Sequence, residues 1–239
     1  MDSEFSEIQF QCAVVGELMN TRTTVAKKWK APIMPTTREE NGLGYDCKIE
    51  GPIKTLFFQF KTSRKLTKTY ANHWGLYMGN YYEFDIRPLE KSGQHNDLVD
   101  LANSDSRFRV FYCAPGFIKN SEYQDYYTRG EIIENSIFVP CKPLAKIHRG
   151  ETHTITFVIN PRRRAKMHSE VYNIKSYGEE EFWREVEQGE SFKNLEECVV
   201  KLSRAMKIDV NREYAVEEQL ERMQVELMMR KNICMVVYQ

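Results

Sequence analysis

The sequence predicts an α/β protein: a mixed central sheet flanked by helices, followed by a helical C-terminal extension. Three observations predict it. Up to about residue 160, short apolar runs with strand patterning alternate with helical patterning in the order helix, two hairpin strands, strand, helix, strand, which fits a mixed sheet sandwiched by helices. Beyond that point the apolar residues recur at helical spacing only, apart from a short apolar tail. The composition, 41% hydrophobic, 28% charged and 12% aromatic, is that of a globular chain that can bury a full core, and it excludes disorder. These patterns divide the chain into an α/β core over residues 1–160 and a C-terminal extension over residues 161–239 packed on that core.

The first helix is expected from Ser3 to Lys28, with Phe5, Ile8, Val15, Leu18 and Met19 as its buried stripe and Ser3 or Ser6 as its cap. Loop formers fill Lys30 to Gly44. Tyr45 to Glu50 reads as a strand, Gly51-Pro52 as a turn, and Leu56 to Lys61 as the second strand of a hairpin. The two-residue period of that strand puts Leu56, Phe58 and Phe60 on a packing face and Phe57, Gln59 and Lys61 on a face that presents an amide beside an ammonium. Tyr81 to Arg87, a helix from Ser92 to Ala102, and Arg109 to Ala114 predict a crossover with at least one parallel pair of strands. A short helix ending near Gly130, a strand around Ile137 to Val139 and a last strand from Thr154 to Ile159 complete the core. In the extension, helices are expected over 179–188, 195–206 and 213–230, and the tail from Ile233 to Tyr238 is strand-like and suited to a sheet edge.

The chemistry concentrates around the hairpin, which would bring Asp46 toward Gln59 and Lys61. A lysine on an apolar strand is costly to desolvate unless its charge is used, so it asks for an anionic partner or a metal-bound oxyanion. A carboxylate that fixes a divalent cation, a second oxygen ligand and a lysine that orients water are the parts of phosphodiester hydrolysis. Asp46, twelve intervening residues and then Gln59-Phe60-Lys61 resemble the signature of the PD-(D/E)XK nuclease superfamily, an aspartate on one strand and (D/E/Q)-x-K on the next. The resemblance covers the first 160 residues or so and implies a restriction-endonuclease-like core with Asp46, Gln59 and Lys61 as catalytic residues and a Mg2+ or Mn2+ ion. It departs from the acidic form of the motif at Gln59, which gives a neutral carbonyl ligand and one negative charge fewer. An acid from the first helix joins the metal site in this superfamily; Glu17 is the positional match, with Glu7 behind it, and Glu40 on the loop is a second candidate.

Arg64, Lys65 and Lys68, interleaved with hydroxyl groups and followed by aromatic residues, form a segment suited to phosphate contact, as does the basic run Arg162, Arg163, Arg164. His95 falls on the first turn of its helix, where free N–H groups favour an anion, although local capping or packing is the simpler account of a histidine there. The net charge is zero, so a polyanion partner requires these local concentrations. The six cysteines, Cys12, Cys47, Cys113, Cys141, Cys198 and Cys234, are widely spaced and read as reduced, buried thiols. No secretion signal or membrane span is legible, which predicts a cytoplasmic protein with no membrane contact. The expected function is a metal-dependent endonuclease acting on DNA, and the resemblance implies a setting such as bacterial defence against foreign DNA. The competing expectations are an inactive nuclease-fold subunit that binds nucleic acid or a protein partner, or that pairs as a homodimer, and an RNA-directed nuclease.

Overall fold

The computed structural model of the chain describes residues 1–20, 53–68, 71–148, 150, 153–159, 164–168, 172–209, 211 and 213–238. In chain order the elements are α1 (Glu7–Asn20), β1 (Lys54–Phe60), β2 (Arg64–Leu66), α2 (Trp74–Tyr77), β3 (Tyr81–Ile86), α3 (Gln94–Ser104), β4 (Phe108–Pro115) and α4 (Asn120–Arg129). They continue as β5 (Ser136–Pro140), β6 (His153–Val158), β7 (Arg164–His168), β8 (Tyr172–Ile174), α5 (Glu179–Gln188), α6 (Leu195–Met206), α7 (Val216–Lys231) and β9 (Cys234–Tyr238). This is a mixed α/β fold in which helices flank two sheets, one ordered β5-β4-β1-β9 and the other β2-β3-β6-β7-β8.

Local chemistry sets several of the predicted boundaries. Ser6 Oγ accepts from the Gln9 N–H and Gln9 Oε1 accepts from the Ser6 N–H, a reciprocal cap that starts α1. Gly130 closes α4 with φ 67°, a left-handed turn that favours glycine, and the Asn194 side chain caps α6. On α1 the buried apolar residues are Phe10, Ala13, Val14, Val15 and Leu18, while Ile8, expected in the stripe, is 71% exposed. Residues 21–28, the expected continuation of that helix, lie outside the described residues.

The four-stranded sheet is covered on both faces, so β1 is buried on both sides. Leu56, Phe58 and Phe60 enter a cluster with Phe10 of α1, Phe111, Phe138 and Phe182 of α5. Within it the Phe138 and Phe182 rings stack with centroids 4.1 Å apart. Phe57 enters the other cluster, with Val110, Val139 and Met235 of the same sheet and Leu98, Leu202 and Leu227 of α3, α6 and α7. Each phenylalanine removed from water contributes roughly 1.5–3 kcal/mol, which is why a near-continuous apolar run takes the centre of a sheet. The expectation that one face of this strand packs and the other is presented is therefore corrected: the alternation is right, but both faces pack.

Pairing corrects three further expectations. Both edges of β1 are occupied, by parallel β4 from Thr55 to Phe60 and by antiparallel β9 from Lys54 to Phe58. The ladder positions that the predicted hairpin needed along 54–58 are thus taken, and Tyr45 to Glu50 lies outside the described residues. A parallel pair exists, but it joins β1 to β4; β3 belongs to the second sheet and α3 connects the sheets. The expected boundary after residue 160 falls between β6 and β7, which pair from Thr154↔His168 to Val158↔Arg164. Residues 161–239 accordingly supply β7, β8 and β9 as well as α5–α7, and the apolar faces of α6 and α7 are part of the core rather than of an extension.

The second sheet is one-sided. Its core face carries Tyr82, Phe84, Ile86, Ile155, Phe157, Ala165 and Met167. The opposite face carries Arg64, Glu83, Asp85, Thr154, Thr156, Arg164, Lys166 and His168, because directly paired residues and those two positions along share a side. The short α2 covers part of that face, with Tyr77 and Tyr81 packed on Val158.

Candidate functional site

Lys61 stands one residue beyond β1, where its N–H donates to the Cys113 carbonyl at 2.9 Å and prolongs the ladder with β4 by one bond. It therefore sits at the carboxyl end of a parallel strand pair, the position at which α/β sheets present ligands. There it lines a cleft of about 450 Å3 whose walls are Asp2, Ser3, Phe5 and Glu7 before and within α1, the connection Thr62-Ser63, Arg64 of β2, and Glu83 to Arg87 around the end of β3. Burial pushes the Lys61 ammonium below its ordinary pKa; Glu7 and Asp85 pull it up and Arg87 pushes it further down. Among the described residues no carboxylate forms an ion pair with Lys61, so its charge is influenced by neighbours without being matched by one.

Gln59, two residues earlier on the same side of the strand, is completely buried. Its Nε2 donates to the Phe60 carbonyl at 3.1 Å, and its Oε1 has no hydrogen-bond partner. A shielded carbonyl oxygen without a donor is destabilising by about 1–3 kcal/mol, and natural folds seldom leave one. Its chemistry is that of a neutral oxygen ligand. Asp46 and Glu40, the carboxylates proposed beside it, lie outside the described residues, as do Arg162 and Arg163. Among the described residues no group of three or more His, Cys, Asp and Glu side chains is arranged to hold a metal ion.

Glu17 does not join this site. Its carboxylate accepts from the backbone N–H groups of Ile132 at 2.7 Å and Ile133 at 3.2 Å, tying α1 to the turn before β5. Burial raises its pKa, with those two hydrogen bonds opposing and Glu179 and Glu134 adding to the rise. Ten helical residues separate it from Glu7, about 15 Å along the axis, and it is Glu7 that faces Lys61. Periodicity places both on the helix but cannot say which end meets the strand terminus.

His95 is also corrected. It is 1% exposed and forms part of the core: its Nε2 lies 2.8 Å from the Ala145 carbonyl and its Nδ1 lies 2.9 Å from the Tyr112 hydroxyl. A carbonyl only accepts, so Nε2 carries the proton and Nδ1 accepts from Tyr112. Burial lowers the pKa of this ring, the Ala145 hydrogen bond opposes, and His153 adds to the lowering. Nothing remains of it for a phosphate.

The basic residues divide. Arg64 is held by Glu83 at 3.1 Å and Asp85 at 2.8 Å, which satisfies its guanidinium internally. Lys65 lies 5.4 Å above the Tyr82 ring and, with Lys68, borders a second cleft of about 540 Å3 beside the first. Arg164 is exposed on β7, on the same face of the sheet as Arg64, and Lys166, two residues on along β7, stands in the row of Thr156, Glu83 and Arg64. Two residues absent from the motif reading line the Lys61 cleft: Ser63 and Arg87. Nothing local in the sequence points to either.

Of the cysteines expected to be buried, Cys113, Cys141, Cys198 and Cys234 are; Cys12 is exposed and Cys47 lies outside the described residues. Burial raises the thiol pKa of the four buried ones, to about 12 for Cys198 and Cys234, so they are protonated and inert. Among the described residues no helix is long and apolar enough to cross a membrane. Comparison of the chain with protein-family models, with curated proteins and with solved structures returns no match.

Proposed function

We propose that the protein is a divalent-metal-dependent nuclease that hydrolyses phosphodiester bonds, with DNA as its substrate. One observation carries the reading: Lys61, at the carboxyl end of the β1/β4 pair, brings an unmatched ammonium into an open cleft, two residues after a buried carbonyl oxygen that has no donor. Asp46 and Gln59 are the residues that would hold a Mg2+ or Mn2+ ion, with Glu40 as a further carboxylate, and such an ion supplies Lewis-acid activation of the phosphodiester and of water. Lys61 orients the attacking water and stabilises charge that develops on the phosphoryl oxygens. Lys65 and Lys68 at the adjoining cleft give the substrate backbone positive charge beside Lys61, and Arg164 and Lys166 add more on β7, farther across the polar sheet face.

A second reading, a nucleic-acid-binding subunit without chemistry, draws on Gln59, which is neutral and wholly shielded. Incubation of a plasmid or a structured RNA with the purified protein separates the two. Nicking or cutting with magnesium or manganese, abolished by EDTA and by Asp46→Ala, is the expected result. An intact plasmid and intact RNA with every divalent metal tried, alongside salt-sensitive binding, would leave the subunit.

A further inference from the structure

Ser63 follows Lys61 by two residues on the connection between β1 and β2. It is 1% exposed, and its Oγ is shielded with no hydrogen-bond partner. A hydroxyl in that state destabilises the folded chain, and alanine would fill nearly the same space without the penalty. Ser63 nevertheless lines the Lys61 cleft, and its hydroxyl hydrogen is free to turn toward an acceptor there. The other cations at the cleft are Arg64 and Arg87. Arg64 is committed to Glu83 and Asp85, whereas Arg87 is exposed and forms no ion pair among the described residues. Arg64 thereby ties down Glu83 and Asp85 and offsets one of their two charges, Glu7 accepts from the Asn232 amide at 3.0 Å, and Asp2 is the fourth carboxylate of the cleft. Beside these carboxylates the cleft offers a ligand one ammonium, one guanidinium and one unused hydroxyl, three donors that a phosphate group accepts from.

We propose that Ser63, Lys61 and Arg87 together receive one phosphodiester group of the substrate, the Ser63 hydroxyl donating to a non-bridging oxygen and Arg87 gripping the same group from the rim. The identity of the substrate rests on the nuclease reading; the receptor itself rests on the orphaned hydroxyl and the two unpaired cations. Desolvation of Lys61 is consistent with it, since an anion in the cleft restores the ammonium's ordinary basicity.

The probe is a dinucleoside monophosphate, which carries a single phosphodiester, titrated in EDTA and followed by amide chemical shifts. Wild-type protein should bind it, Ser63→Ala and Arg87→Gln should each bind at least about fivefold more weakly, and Ser63→Ala should melt no lower than wild type because it loses an unsatisfied hydroxyl. Undiminished affinity in a folded Ser63→Ala protein overturns the proposal, as does absence of binding by the wild type. If Ser63→Ala weakens binding while no metal supports plasmid cleavage by the wild type, the receptor stands and the nuclease reading falls. If the wild type cleaves and Ser63→Ala binds the probe as well as it does, the receptor falls and the nuclease reading stands.

Discussion

His95 with Tyr112 and Gln59 with Ser63 are two sets of polar side chains buried in one fold, and they are treated in opposite ways. At His95 both ring nitrogens are used, by a carbonyl at 2.8 Å and a hydroxyl at 2.9 Å, and the network closes on itself. Around Lys61 the Gln59 Oε1 and Ser63 Oγ have no partner, and the ammonium between them has no counter-ion among the described residues. A completed network contributes rigidity and specifies the packing of α3 on β4. An incomplete one lowers stability in the absence of a ligand, and it persists where a ligand finishes it. Satisfaction of hydrogen bonds thus separates the closed set at His95 from the open set at which we propose a ligand binds.

Lys61→Met breaks the comparison on its functional side and carries the largest effect. Under the nuclease reading, plasmid turnover should fall at least about 100-fold, while stability in urea changes by less than about 1.5 kcal/mol because methionine fills the same length of an already desolvated position. Retained turnover in a folded Lys61→Met protein would remove lysine from the chemistry. On the structural side, His95→Phe keeps ring volume but strands the Tyr112 hydroxyl and the Ala145 carbonyl, and equilibrium unfolding should show a loss of about 2–4 kcal/mol. DNA cleavage per folded molecule should be unaffected, since the residue lies in the core and off the cleft.

Gln59→Met sharpens the contrast with a smaller energy. Removing a carbonyl oxygen that has no donor relieves its penalty while the Nε2 bond to the Phe60 carbonyl is lost, so stability should shift by less than about 1 kcal/mol in either direction, yet metal-dependent cleavage should be lost if that oxygen is a ligand. Calorimetric titration with Mn2+ is the check; unchanged metal affinity would return Gln59 to the core.

A further effect, confined to the acid limb of stability, involves the polar face of the second sheet. Burial, then the stacked His73 ring with centroids 3.7 Å away, then Lys166, push His168 down to about 4, while Thr156 Oγ1 lies 2.6 Å from its Nε2. In the unfolded chain this ring titrates near 6.5, so between there and about 4 the unfolded state binds the extra proton. His168 therefore has no effect above 6.5, and stability declines as pH falls from 6.5 toward 4. Urea midpoints measured across that range should fall less steeply for His168→Asn than for wild type, with His95 accounting for part of the slope that remains.

The sequence by itself determined most of the elements of this protein. Ser6 and Gln9 announce the start of α1, Gly130 the end of α4, and the run Leu56 to Phe60 the strand at the centre of the first sheet, because caps, left-handed turns and side-chain periods act within a few residues. It also singled out Lys61 as a charge that an apolar strand does not explain. Tertiary structure decided how those elements meet. Which strands flank β1, whether β7 of 161–239 closes onto β6, and that Glu7 rather than Glu17 lines the lysine's cleft are outcomes of how the strands and helices pack, which periodicity within one element does not encode. The same holds for polar atoms: His95 and Ser63 look alike as isolated polar residues, and only the surrounding packing determines which finds its partners and which is left waiting for one.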